Sequence, residues 1–218
     1  MSSVYSWGQP YQARVSLSGA DHETIEVVNR HQQTMEAEMA RLPGITNREA
    51  LPEDKRHVFD SIAATRGSVR GPLALLLYSP QAAERVADLG TYLRFQSVLP
   101  PVDLELAILV AARECDCAYE WRGHAVLARQ AGVREEAIEA IAHRASLDQF
   151  TEDEARLVAY GRGLLGDHRV PASVFDAVLA RYGEQGIVDL TATLGYYSMM
   201  ACMLNAFEVE APGGVVLP

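Results

Sequence analysis

Eleven consecutive residues, Glu114-Cys115-Asp116-Cys117-Ala118-Tyr119-Glu120-Trp121-Arg122-Gly123-His124, hold the densest set of reactive side chains in the sequence. With a helix starting at Cys117, the residues Cys117, Glu120 and His124 fall at i, i+3 and i+7 and share one face. Leu127, Ala128 and Ala131 continue that face, so it reads as a stripe turned toward the core. A carboxylate and an imidazole on a buried stripe cost free energy unless they are paired or used. Used, they are the parts of a proton-transfer site, because an imidazole changes charge near neutral pH. Merely paired, they are a buried hydrogen bond that locks two helices, and spacing alone leaves both readings open.

Two further signals bear on this region. Glu105 is the only charged residue within Leu104-Glu105-Leu106-Ala107-Ile108-Leu109-Val110-Ala111-Ala112. It is either a second carboxylate of the same site or a first-turn glutamate at the solvent edge, where it suits the positive end of a helix. Cys115, Cys117 and His124 include metal-ligating types, but such compact spacing without a second ligand cluster does not predict a metal site.

The elements that must position these residues read as helices. Polar and apolar residues alternate at helical spacing from Asp21 to Leu42, where Pro43-Gly44 ends the run. Residues 1–49 are therefore assigned to an N-terminal extension, 50–210 to the main domain and 211–218 to a tail. Within the domain, a helix is expected from Pro52 to about Arg66, then a loop through Gly67 to Pro72 and an apolar turn ending at Ser79. Ser79 as N-cap and Pro80 at the first helical position open a helix to about Gln96. Pro100-Pro101 precedes an apolar helix over Val102 to Arg113, and Gly132 ends the next, over Cys117 to Ala131. Helices at Arg134 to His143 and behind the capping box Thr151-Glu152-Asp153-Glu154 follow, then two more over Ala172 to Tyr182 and Gln185 to Phe207. The class is all-α, with about seven or eight helices.

Composition bounds the function. The net charge of −10 opposes binding to phosphate backbones or anionic lipid surfaces, so neither nucleic acid nor a membrane is an expected partner. Lys55 is the only lysine and sits in the charged run Glu53-Asp54-Lys55-Arg56, which argues against Schiff-base chemistry. Three cysteines make no disulfide framework, and the first residues lack a signal peptide's basic start and apolar core, so a cytoplasmic location is expected. The apolar runs around Pro72 to Tyr78 and Leu106 to Ala112 fall short of the ~20 residues that span a bilayer. Gly161-Arg162-Gly163-Leu164-Leu165-Gly166 spells a dinucleotide fingerprint but follows a helix instead of a strand, so no nucleotide is predicted. His22, His31, His57, His143 and His168 have charged neighbours and are expected in solvent, whereas Cys202, in an apolar run, is expected in the core.

The sequence resembles the carboxymuconolactone decarboxylase and alkylhydroperoxidase D-like superfamily of small all-helical proteins. The resemblance runs from about Leu51 to Ile141, through Arg70-Gly71-Pro72, Leu93-Arg94-Phe95, Leu104-Glu105-Leu106-Ala107-Ile108-Leu109 and Tyr119-Glu120-Trp121-x-x-His124. In the peroxidase branch, the pattern of a glutamate, eleven residues, Cys-x-x-Cys, three residues and a histidine falls on Glu105, Cys117 and His124. Glu120 occupies the second cysteine position, which removes the resolving thiol that a peroxidase needs. The Tyr-Glu-Trp-x-x-His version looks more like the decarboxylase branch. The resemblance therefore implies a helical bundle that acts as a cofactor-independent lyase or isomerase on a small carboxylated lactone or keto acid, and a homo-oligomer, trimer or hexamer. His124 is then the general acid/base, with Glu120 and Glu105 orienting its ring or carrying a second proton, and Cys117 beside them. Arg70 is the first candidate for a carboxylate clamp, with Arg94 and Arg122 behind it, since a guanidinium grips a carboxylate with two hydrogen bonds. Tyr119 and Trp121 complete the candidate substrate-binding set. A thiol-dependent peroxidase and a non-catalytic oligomeric binding module stand as the alternatives.

Overall fold

A computed structural model describes residues 40–214 and 216–218. Most of the amphipathic helix expected over 21–42 lies outside these residues, as do His22 and His31, while Ala40, Arg41 and Leu42 form a bend instead of a helical end. Eight α-helices occur among the described residues: α1 (Arg56–Arg66), α2 (Gly71–Leu76), α3 (Pro80–Phe95), α4 (Pro101–Glu114), α5 (Ala118–Ala131), α6 (Glu135–Ala142), α7 (Glu152–Leu165) and α8 (Ala172–Ala206). No strand is present among them. The molecule is thus all-α, as the patterning indicates.

The bundle is organised around α4. Every residue of that helix from Asp103 to Arg113 is buried, the behaviour of a helix that is apolar on all sides and has no face to offer to water. Helices α5, α7 and α8 pack against it, with α6 in lesser contact. A second, smaller core joins α1, α2 and the first turns of α3 through Val58, Ile62, Leu73, Leu77 and Ala83. Ile45 packs on this core and donates its backbone N–H to Ala74 O at 2.9 Å, which ties the described end of the extension to the domain.

The punctuation works largely as its chemistry dictates. Pro101 opens α4 and Pro80 opens α3, where a missing N–H costs nothing. Gly132 closes α5 at φ 94°, a left-handed conformation that glycine adopts without strain. Thr151 and Glu154 form the reciprocal capping box at the start of α7. Ser79 is the N-cap of α3 but its side chain makes no capping bond. The stretch expected as a loop and apolar turn before Ser79 contains the short helix α2, which Pro72 helps to start.

Gly183 divides α8, with φ 70° and ψ −178°. The two segments expected over Ala172 to Tyr182 and Gln185 to Phe207 are therefore the two halves of one element, redirected at a residue only glycine suits. By length and composition α8 could cross a membrane. Here its second half is the wall of the bundle, with Leu190, Leu194, Tyr197, Met200 and Leu204 buried.

The Gly-x-Gly-x-x-Gly run lies inside and at the end of α7 and serves packing. A methyl group on Gly161 would stand 2.6 Å from Val110 Cγ1 of α4, and one on Gly163 would stand 2.8 Å from Arg169 O. Gly161 lets α7 approach the central helix closely, and Gly163 makes room for the chain returning at Arg169.

Candidate acid–base site

Glu105, Glu120 and His124 converge. His124 Nδ1 lies 2.7 Å from Glu105 Oε2, and His124 Nε2 lies 3.5 Å from Glu120 Oε2. The short approach of α4 and α5, joined by the Cys115-Asp116-Cys117 corner, brings these side chains together. All three are buried, with 7% of Glu105, 8% of Glu120 and 6% of His124 exposed. Glu105 is therefore not at a solvent edge, and the second of its two sequence readings fails because α4 is buried on all sides from Asp103 to Arg113.

The geometry divides the work between the two carboxylates. Nδ1–H donates to Glu105 at hydrogen-bond distance, which fixes the tautomer and leaves Nε2 as the nitrogen available to accept a proton. Glu120 faces that free nitrogen across a gap too long for a direct hydrogen bond. Burial pushes the Glu120 carboxyl above its ordinary value; His124 and Arg94 oppose the rise, and Glu105 adds to it. Burial thus favours the neutral form of Glu120 beside the imidazole.

Arg94, in the last turn of α3, approaches Glu105 Oε1 at 3.8 Å. Burial works to lower its basicity, but the nearby Tyr197, Glu105 and Glu120 outweigh that and raise it. It makes no hydrogen bond to any described residue, so its donors are uncommitted although the side chain is three-quarters buried. Tyr197 of α8 closes the other side, its ring edge-on to the imidazole at 4.9 Å. Burial drives the Tyr197 hydroxyl far above its ordinary range, so it stays protonated. Tyr196 meets Tyr197 edge-on at 5.3 Å and extends its hydroxyl into the space left by the absent side chain of Gly90. Neither tyrosine stands out in the sequence; only their position in an apolar helix face opposite α5 could have pointed to them.

The other candidates lie elsewhere. Arg70 is exposed at the N-cap of α2 and has no ion-pair partner among the described residues. Arg122 is exposed on the outer face of α5 near Gly213. Trp121 belongs to the main hydrophobic core. Tyr119 covers Gly71, where a methyl group would stand 2.8 Å from its ring, and borders a separate cleft of about 530 Å³ between the start of α5 and residues 209–218. Side-chain direction on a helix depends on which face the partners cover, and four adjacent residues of one helix cannot all turn to one site.

Cys117 is the N-cap of α5 and is buried against Ala201 and Leu204. Burial raises its thiol to about 12, with the Glu120 charge adding to the rise and the Tyr119 and Glu120 backbone N–H groups opposing it. It is not an activated nucleophile. Cys202, expected in the core, is exposed on α8, because an apolar run on a surface helix still has an outward side. His57, His143 and His168 are exposed. Among the described residues no group of three or more His, Cys, Asp or Glu side chains is arranged to hold a metal ion.

Fold and site together are an all-α bundle with a buried imidazole held between two carboxylates. Residues 80–161, which span α3 to α7 and contain Arg94, Glu105, Glu120 and His124, match the model of the carboxymuconolactone decarboxylase family. The fold recurs in solved structures, two of which are described. One is a protein of unknown function from Agrobacterium tumefaciens, linked by its name to antioxidant defence and AhpD, 21% identical, with a TM-score of 0.56 over 66% of this chain and 99% of the other. The second is an uncharacterized peroxidase-related protein from Silicibacter, 14% identical, with a TM-score of 0.60 over 73% of this chain and 85% of the other. At these identities the likeness is one of fold. None of the curated proteins matches the chain.

Proposed function

We propose that the protein is a cofactor-independent lyase or isomerase whose substrate is a small carboxylated lactone or keto acid. The observation that carries this reading is the buried His124, hydrogen-bonded at Nδ1 by Glu105 and faced at Nε2 by Glu120, beside an arginine with free donors. Arg94 orients the substrate carboxylate through two parallel hydrogen bonds. As the carbon–carbon bond to that carboxylate breaks, its electron pair passes into the conjugated carbonyl and carbon dioxide leaves. His124, protonated at Nε2 by Glu120, delivers that proton to the enolate carbon, and Glu120 then recovers one from solvent, so a solvent proton takes the place of the departing carbon dioxide. Glu105 keeps the ring oriented and offsets the charge of the protonated imidazole in a buried site.

The test is turnover of a carboxylated lactone in deuterated water, read as carbon dioxide release and deuterium in the product. His124→Asn and Glu120→Gln should each remove ~100-fold or more of the activity, while Cys117→Ser retains most of it. A Cys117→Ser protein that folds normally yet loses all turnover overturns the reading. Thiol peroxidation at this site would need a reactive Cys117, and a buried thiol near 12 does not supply one.

A further inference from the structure

Beyond the Gly183 kink, α8 carries hydroxyl side chains of two kinds. Thr191 and Ser198 donate to the carbonyl oxygens one turn back, Ile187 O at 2.7 Å and Leu194 O at 2.8 Å, the usual disposal of a hydroxyl on a helix. Thr193 departs from that pattern: it is completely buried, and its Oγ1 has no hydrogen-bond partner among the described residues. Tyr197 follows Thr193 at i+4 on the same face of the helix. It too is buried, and its hydroxyl makes no hydrogen bond to any described residue. Contacts at both ends set this stripe against the acid–base site. Asp189, at i−4 from Thr193, accepts from the Tyr92 hydroxyl at 3.0 Å and from the Val98 backbone N–H at 3.1 Å, which fixes one end on the last turn of α3, where Arg94 stands. At the other end the Tyr197 ring meets the His124 imidazole edge-on at 4.9 Å. Thr193 therefore lies between the turn that carries Arg94 and the ring assigned to proton transfer. A buried hydroxyl without a partner costs free energy, and a ligand oxygen that accepts from it recovers that cost.

We propose that the Thr193 and Tyr197 hydroxyls together receive the carbonyl oxygen of the substrate while Arg94 holds its carboxylate. The inference rests on the acid–base reading and deepens it: the substrate carries a carbonyl oxygen as well as a carboxylate, placed so that both are held at once. As carbon dioxide leaves, the electron pair of the broken bond moves into the conjugated carbonyl, and negative charge collects on its oxygen. Two O–H donors aimed at that oxygen stabilise the enolate more than the ground-state carbonyl, because a hydrogen bond to a charged acceptor is the stronger one. Neither hydroxyl gives up its proton, and His124 still protonates carbon. The donors stand on α8, whereas the acid and its carboxylate partners stand on α4 and α5, so different walls of the bundle handle the developing charge and the proton that quenches it.

Titration calorimetry of the full-length protein with two matched acids separates these roles: the γ-carboxylate of γ-butyrolactone, and tetrahydrofuran-α-carboxylate, which keeps the ring and the carboxylate but lacks the carbonyl oxygen. The parent protein should hold the lactone acid about tenfold more tightly. Thr193→Val and Tyr197→Phe should each lose most of that preference with affinity for the ether acid unchanged, whereas Arg94→Leu should weaken both acids alike. Thr193→Val keeps the shape and removes an unpartnered buried hydroxyl, so its unfolding midpoint in urea should equal or exceed that of the parent. A lower midpoint would show that the Thr193 hydroxyl serves the fold and would overturn its role. Equal affinity of the parent for the two acids, or a preference that survives both substitutions, would overturn the proposal while Arg94 and the acid–base reading stand. Binding of neither acid by the parent protein would overturn both.

Discussion

Glu105 Oε2 and His124 Nδ1 are 2.7 Å apart, across the interface between the most buried helix of the bundle and its nearest neighbour. This contact makes the imidazole a one-ended group, with Nδ1 committed and Nε2 free. Glu105→Gln keeps the size but allows the amide to present either a donor or an acceptor to Nδ1. On a carboxylated lactone that turns over, kcat should fall in Glu105→Gln with KM nearly unchanged, because the altered group orients the acid without touching the substrate. Nitrogen-15 NMR of His124 should show the change of tautomer directly. An unchanged tautomer together with lost activity would place Glu105 in contact with substrate instead.

Glu120 gives a pH signature in stability. Its folded-state pKa is raised above the ordinary 4.5, first by burial. Between the unfolded and folded values the native state therefore holds more protons than the unfolded chain, and stability falls as pH rises through that window. Below it the contribution is fully present. Glu120→Gln removes the titration, so the difference in Tm between the variant and the parent should move in favour of the variant as pH increases from about 4.5 upward. A Tm difference that is flat with pH contradicts the shift.

Cys117 should be nearly inert. A thiol at about 12 in place of the ordinary 9.0 holds about a thousandfold less thiolate at neutral pH, and burial adds a steric barrier. Timed alkylation of the native protein with iodoacetamide should label Cys202 first and Cys117 last, with Cys117 reacting only as the fold opens.

Gly161 tests the packing of α7 on α4. Gly161→Ala drives a methyl group into Val110 Cγ1, an overpacking that costs ~1–3 kcal/mol. Val110→Ala opens the same space, so the double variant should be less destabilised than the sum of the two singles in urea unfolding. Strict additivity would mean that α7 shifts away from Val110 on its own.

Assembly is open to direct measurement. Leu89, Phe95, Val98 and Val188 are exposed apolar side chains, two of them on the helix that also presents Arg94. Light scattering should give a multiple of 23.9 kDa, and Phe95→Glu should lower it. A mass of one chain in both proteins removes the expected oligomer.

The features readable from sequence are those fixed within one or two turns of chain. Pro80, Pro101, Gly132 and the Thr151–Glu154 box mark helix ends because capping chemistry is local. The Glu120–His124 pairing is equally local, being a matter of i, i+4 spacing. Glu105 was visible as an isolated charge in an apolar helix, but its partner came from another helix, which no periodicity encodes. Arg94 could not be separated from Arg70 and Arg122, since the three differ only in what covers them. Trp121 and Cys202 show the same limit in opposite directions: one is core although it lies in the reactive run, and the other is exposed although its neighbours are apolar.

The enclosure of α4 from Asp103 to Arg113 has a consequence for how the protein fails. A site mounted on loops can come apart while the rest of the molecule survives, but Glu105 is carried by a segment with no route to solvent except loss of the whole fold. The slowest-exchanging amides should therefore cluster around residues 103–113, and heat inactivation should track global melting instead of preceding it.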